Sequence, residues 1–313
     1  MRLIGTAVIA AIGVTLTNQA SAAIIGPAVD YNVFIFGSGS FMSQNTDTMG
    51  NLAAGGNVSL TNYAVAQGIA GNSGATPNPA RIVVGSKLTA QNGGVGSNQN
   101  GAIYYGTSAP SLTNFTARGG QFANQSLVNF GTSTGLYKNL STQLGGLSAN
   151  GSTVFNSTSD LLSLTGSNSS LNVFDVSIAN LNASKGIDIS AKAGSTVLIN
   201  VTGTGTATFS NGSVVESGIS STGAAVLYNF ISASTVSLPG SKDPKGSILA
   251  PNASVTGGFG AMSGQLIADS YSGNTQFDNV QFTGVLPVPV PAALWLLASG
   301  LIGLGRTLRK PAA

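Results

Sequence analysis

The chain contains no cysteine and no histidine. An exported fold without cysteine forgoes disulfides, so its core alone must hold it together. The absence of histidine removes the commonest zinc ligand, the usual general base and any Ser-His-Asp triad. Charge is scarce too: 7% of the 313 residues are Asp, Glu, Lys or Arg, with 12 basic and 9 acidic side chains and a net charge of +3. Arg2, Arg306, Arg309 and Lys310 lie in the end segments, so the basic excess belongs to the ends and the body is near neutral. Nucleic acid is therefore not an expected partner, since binding it calls for a basic patch on the folded body. Disordered chains are usually rich in charge and poor in β-branched residues. This one has repeated Val, Ile, Leu and Phe runs set among 43 glycines and abundant Ser, Thr and Asn. That composition describes a folded, β-rich body with a neutral polar surface.

Both ends read as addresses. Residues 1–22 carry a positive Arg2, an apolar stretch from Leu3 to Leu16, and small residues at Ala20 and Ala22 flanking Ser21. This is the order of a signal peptide, cleaved by signal peptidase so that the mature chain starts at Ala23. Residues 288–313 begin Val288-Pro289-Val290-Pro291-Ala292, continue as fourteen apolar residues from Ala292 to Gly305, and end in a basic stretch. Fourteen residues fall short of the roughly 17–25 of a comfortable helical span, and the prolines stop the helix from extending upstream. Trp295 suits a membrane interface, and Arg306, Arg309 and Lys310 suit its cytoplasmic side. A short span of this kind halts export and holds the chain for a processing enzyme. A permanent anchor is the simpler alternative.

Between the ends, residues 23–287 are long enough for one sizeable core. Short apolar runs closed by Gly or Asn recur: Asn32 to Gly37, Leu52 to Leu60, Arg81 to Thr89 and Gly101 to Gly106. The strand–Gly corner–strand form reads as successive coils of a β-solenoid, each covering its neighbour's apolar face. A β-sandwich is the competing architecture. Phe122, Leu127, Phe130, Tyr137, Leu140, Leu144 and Leu147 recur at helical spacing and predict one packed amphipathic helix over about 119–148, weakened by Gly131 and Gly135. Strands resume from Ser152, break at Pro251, and end in an extended linker from Val285 to Pro291. The expected fold is thus mainly β, a solenoid with one helix on its body, an N-terminal signal helix and a C-terminal hydrophobic helix.

The runs NVFIFG (Asn32 to Gly37), LAAGGNVSL (Leu52 to Leu60), LNVFDV (Leu171 to Val176), GSTVLINVTG (Gly194 to Gly203), VLYNF (Val226 to Phe230), GSILAPNASVTGG (Gly246 to Gly258) and GQLIADSY (Gly264 to Tyr271) resemble a choice-of-anchor A domain. Tyr228 stands where that pattern suggests Trp. The tail is similar to the VPLPA variant of PEP-CTERM sorting signals, with Val290 in place of Leu. The resemblance implies a Gram-negative bacterium, an exosortase-type processing enzyme and an exopolysaccharide or biofilm matrix. It brings an address and a fold but no catalytic residues and no cofactor.

Few residues offer chemistry. Asp160, Asp175 and Asp188 are the candidates for a polysaccharide-active enzyme, which would need two carboxylates about 5 or 6.5–9.5 Å apart. Calcium would need six to eight oxygens, and no acidic run supplies them. Thr202, Thr204, Thr206 and Thr208 alternate, so they are expected to share one strand face, as ice binding would require; Thr also simply favours strands. The Asn-x-Ser/Thr sequons at Asn57, Asn139, Asn200 and Asn252 are uninformative in a chain of this composition. Gly203 and Gly205 lie in a strand-like stretch, so they form no nucleotide loop. The expectation is an exported, non-enzymatic surface or matrix protein, structural or adhesive, with exopolysaccharide as a partner. An extracellular polysaccharide-active enzyme and an ice-binding protein are the rivals.

Overall fold

Gly-punctuated apolar runs become the two arms of stacked coils. The computed structural model describes residues 26–69, 80–123, 127–210, 213–217, 223–240 and 244–287. The N-terminal half contains β1 (Val33–Ile35), β2 (Phe41–Thr48), β3 (Leu52–Ala54), β4 (Val58–Val65), β5 (Ala80–Val84), β6 (Leu88–Val95), β7 (Ala102–Tyr105), β8 (Ser111–Thr116) and β9 (Gln121–Ala123). Helix α1 (Phe130–Gly145) follows, then β10 (Ser152–Asn156), β11 (Leu161–Thr165), β12 (Leu171–Ser177) and a short α2 (Ile178–Ala183). The rest is β13 (Gly186–Ser190), β14 (Thr196–Thr202), β15 (Gly205–Thr208), β16 (Ser213–Ser217), β17 (Val226–Phe230), β18 (Ala233–Leu238), β19 (Ser247–Ser263) and β20 (Leu266–Asp278). The strands pair in parallel, except that β10 and β11 run antiparallel.

Three walls result. One, ordered β12-β14-β17-β19-β20-β1-β3-β5-β7-β9, is covered by α1. A second, the open wall, runs β15-β18-β19-β20-β2-β4-β6-β8. The third holds β10, β11, β13 and β16. Burial explains the sequence patterns. Strands of the covered wall are buried on both faces, hence unbroken runs such as VFI, LAA and VLYNF. Strands of the open wall alternate buried and exposed residues, as in VSLTNYAV. The interior holds Phe41, Tyr63, Tyr271 and Phe277, with Phe41 stacked on Tyr271 at 5.0 Å between ring centroids. At the corner between covered and open walls, glycine is required by close approach. A Cβ on Gly55 would lie 1.9 Å from Gly37 O, and one on Gly85 would lie 2.4 Å from Gly55 O.

The order of the coils is not the order of the chain. The first coil stacks on the last: Val33 pairs with Leu266 and Phe34 with Ile267, and Leu266 N donates to Asn32 O at 2.9 Å. The N-terminal half winds outward from this join to β9. Helix α1 then carries the chain back, and the C-terminal half winds inward from the far end. Sixteen residues give α1 a length of about 24 Å, close to the five rung spacings of about 4.8 Å between β3 and β14. Buried polar residues seal the join. Asn32 Nδ2 donates to Gly264 O and Asp278 O, and Gln265 Nε2 donates to Ala28 O and Tyr31 O.

Helix α1 is shorter than the apolar spacing predicts. Gln121–Ala123 is strand β9, where Phe122 stacks on Tyr104 at 4.8 Å, and the helix begins only after Asn129, whose side chain accepts from Thr132 N at 3.2 Å. At its other end Asn200 Nδ2 donates to Leu144 O and Asn229 Nδ2 to Ser141 O, tying the last turn of the helix to the wall beneath it. Helix α2 lies where the sequence analysis expected none; Ser177 caps it by accepting from Asn180 N. The expected linker also begins too early, since Leu286 is buried and Val285 N donates to Thr196 Oγ1 at 2.7 Å. The strand break expected at Pro251 does not occur: β19 runs through it as one strand, and the proline is accommodated by a register shift in the pairing with β20 between Ala250 and Ser254.

Residues 1–22 and 288–313 lie outside the described residues, and with them Ala20, Ala22, Val288 to Ala292, Trp295, Arg306, Arg309 and Lys310. Among the described residues no helix is long and apolar enough to cross a membrane.

Candidate functional site

Register turns isolated hydroxyls into columns on the open wall. Thr208, Ser237, Thr256, Ser272, Met42, Ser59, Thr89 and Ser111 occupy matching positions on eight consecutive rungs. At about 4.8 Å per rung the column extends about 34 Å. A second column, two residues away along the strands, contains Thr206, Thr235, Ser254 and Ser270. Four rungs therefore each present a pair of hydroxyls in phase. Ser270 Oγ donates to Ser254 Oγ at 3.0 Å, so neighbouring rungs hold each other's side chains. A third column reads Gln44, Thr61, Gln91 and Thr113. None of these positions carries a charge.

The wall's edge is set by an asparagine ladder. Asn45, Asn62, Asn92 and Asn114 all have φ between 49° and 56°, where the strands bend toward the third side. Asn tolerates this left-handed conformation better than most residues do. Asn62 Nδ2 donates to Asn45 Oδ1 at 2.8 Å, Asn92 Nδ2 to Asn62 Oδ1 at 3.0 Å, and Asn114 Nδ2 to Asn92 Oδ1 at 3.4 Å. Near the join of the two halves the wall dips into a polar groove of about 170 Å³, lined in part by Met42, Gln44, Thr61, Ser272 and Asn274. Met42 is half exposed there, and Phe259, 68% exposed, stands on a glycine-rich bulge of β19.

The enzyme candidates do not assemble. Asp160 sits in the turn before β11 and pairs with Lys185, whose ammonium it raises in pKa by hydrogen bonding and charge. Asp175 is exposed on β12, at the end of the row containing Asn200 and Asn229, while Asp188 stands on β13 of the third wall. Among the described residues no three His, Cys, Asp or Glu side chains are grouped to hold a metal.

The threonine expectation is corrected. Thr202 ends β14, and the chain turns at Gly203 (φ 110°) and Gly205 (φ 92°), so only Thr206 and Thr208 belong to the open wall. The columns that matter run across the strands, between residues far apart in sequence, and no alternation along a single strand reveals them. Asn200 is wholly buried and hydrogen-bonded, while Asn57, Asn139 and Asn252 are exposed.

No curated protein and no solved structure matched the chain. Residues 24–279 match the family model described as "Putative Ice-binding-like adhesive domain". That match covers the whole solenoid, including both halves and the helix between them. The chain belongs to this ice-binding-like adhesive domain family.

Proposed function

We propose that this protein is an exported, non-enzymatic adhesin whose open wall binds neutral extracellular polysaccharide through many weak hydrogen bonds. The observation that carries the reading is the uncharged column running the length of that wall, with a hydroxyl on seven of its eight rungs and Met42 on the other. A sugar chain presents hydroxyls at repeated spacing, and a rigid lattice loses little entropy when it meets them. Each contact is small, but contacts made together act as one multivalent attachment. Met42, in the lining of the polar groove, and the exposed Phe259 on β19 add apolar surface where the faces of sugar rings can rest.

The signal peptide and the Val288 to Ala292 motif direct the chain to the cell surface or extracellular matrix of a Gram-negative bacterium. There an exosortase-type enzyme removes or replaces the membrane-held tail. Mass spectrometry of the mature C-terminus tests this part: a surface form that still ends at Ala313 contradicts processing.

Adhesion is tested by retention of the protein on its producer's own exopolysaccharide. Replacing Ser59, Thr256 and Ser272 with leucine should reduce retention at least several-fold while the thermal transition stays in place. Retention no greater than that of an unrelated protein refutes the assignment. The in-phase hydroxyl columns also favour a second reading, ice binding, and an absence of thermal hysteresis retires it.

A further inference from the structure

The polar groove opens where the pairing of the wall is interrupted. β2 and β20 are in register at Ser43 and Gly273 and next at Thr48 and Phe277, with unequal lengths of chain between. β19 and β20 slip at the same level, with Gly257 opposite Gly273 and Gly260 opposite Thr275. Asn274 is thus left without a register partner in either neighbouring strand. Gly273 and the buried Ser43, whose Oγ donates to Gly273 O at 2.8 Å, add little bulk to the lining.

The hydrogen-bonding groups around this groove are uncommitted. The side chains of Gln44, Ser59, Thr61, Ser272 and Asn274 make no hydrogen bond to another described residue. Elsewhere on the wall such groups are spent on one another: Ser270 bonds Ser254, and Asn62 bonds Asn45. A concave site whose few polar groups remain free is the usual form of a small-ligand site. Apolar surface is at hand as well. Met42 lines the groove, and the bulge of β19 that carries Phe259 lies opposite Asn274, one rung away. Phe259 is 68% exposed, and its ring packs on no other aromatic ring among the described residues.

The site is elongated along the solenoid axis. Its lining comes from successive rungs on β20, β2 and β4, and Phe259 on β19 adds a fourth position. At about 4.8 Å per rung these positions span about 14 Å. We propose that the groove and Phe259 bind an extended β-1,4-linked glycan lying along the axis, one sugar ring per rung. This inference rests on the adhesive reading above and names its ligand class.

The linkage follows from the spacing. In a β-1,4 chain the bonds at C1 and C4 are both equatorial, so they leave opposite sides of the ring and the chain runs straight. Each ring advances the chain by about 5.2 Å, against about 4.8 Å for each rung. Over four positions the difference reaches about 1 Å, which a rotamer change of Ser, Thr or Asn absorbs. An α-1,4 chain has an axial bond at C1 and coils, so its rings fall out of step with the rungs. Equatorial substituents also place the hydroxyls around the rim of the ring, facing the carboxamides and hydroxyls of the groove. The two faces of the ring then present C–H groups, which the negative face of the Phe259 ring attracts.

Titration of the full chain with cellohexaose, chitohexaose and maltohexaose tests the proposal. One of the two β-1,4 hexamers should bind at least several-fold more tightly than maltohexaose, and the tighter of the two identifies the substituent at C2. Phe259→Ala and Asn274→Ala should each weaken that binding several-fold, while Phe259→Trp should keep or tighten it. Val154→Ala, which removes an exposed apolar side chain on the third wall, should leave it unchanged. Equal affinity for all three hexamers, binding of none of them, or binding that Phe259→Ala leaves intact overturns the proposal. A protein retained on its producer's exopolysaccharide yet indifferent to linkage keeps the adhesive reading and loses this one.

Discussion

Asn229→Ala should detach the C-terminal end of α1 from the covered wall. Asn229 is wholly buried; its Nδ2 donates to Ser141 O and to Asn200 Oδ1, both at 2.9 Å, and its Oδ1 accepts from Ser141 Oγ at 2.6 Å. Truncation removes all three bonds and leaves polar atoms in a site that water does not reach. Each stranded group costs about 1–3 kcal/mol, and partial relaxation of a connected network reduces the sum. A loss of about 3–5 kcal/mol is expected, a large share of the roughly 5–15 kcal/mol that stabilises a typical domain. Urea denaturation followed by far-UV circular dichroism gives the total. Hydrogen exchange should show α1 amides losing protection before those of the solenoid, because the helix depends on this tether while the coils are held by their own ladders. In a double-mutant cycle Ser141→Ala should be strongly non-additive with Asn229→Ala. A loss below about 1 kcal/mol, or additive behaviour, would show that the helix is held mainly by its apolar stripe and that the argument from the carboxamides is wrong.

Two further outcomes follow from local geometry. Gly135 lies within α1 and a Cβ there would meet no atom within 4 Å, so Gly135→Ala should raise stability by about 0.5–1 kcal/mol, read as a higher denaturation midpoint at unchanged slope. The Asp47 carboxyl is raised above the ordinary carboxylate range, first by burial and then by the nearby Asp278 charge, and its Oδ1 is buried without a hydrogen-bond partner. The folded state thus holds this proton more tightly than the unfolded chain does. Stability should fall as pH climbs from the usual carboxylate range through the raised value, and Asp47→Asn should be the more stable protein at neutral pH, with that part of the slope removed. An Asp47→Asn stability profile parallel to that of the native chain would contradict the assignment.

Much of the local structure was legible because a coil imposes simple rules. The Gly55-Gly56 and Gly85 corners were readable since a rung leaves no room for a Cβ against the carbonyl of the next rung. The helix was readable from its apolar stripe, but its start was not. Phe122 fits the helical spacing by number and yet belongs to β9, stacked on Tyr104. Helix α2 escaped notice because six residues hold too little periodicity, although Ser177 at its cap was a usable sign. The three aspartates looked alike in the sequence, and only the fold placed them in three different settings.

The sequence by itself determined the building unit: short strands, glycine corners, a neutral polar exterior and a core without disulfides. These follow from local sterics and from which side chains water tolerates. The tertiary structure alone decided the order in which the units stack. A coil can cover the apolar face of many others, so local rules do not say that β20 must dock on β1, more than two hundred residues away. Buried Asn32 and Gln265 favour that join because it meets their hydrogen bonds. The join brings Ser272 beside Met42 and makes one continuous column from two half-length ones.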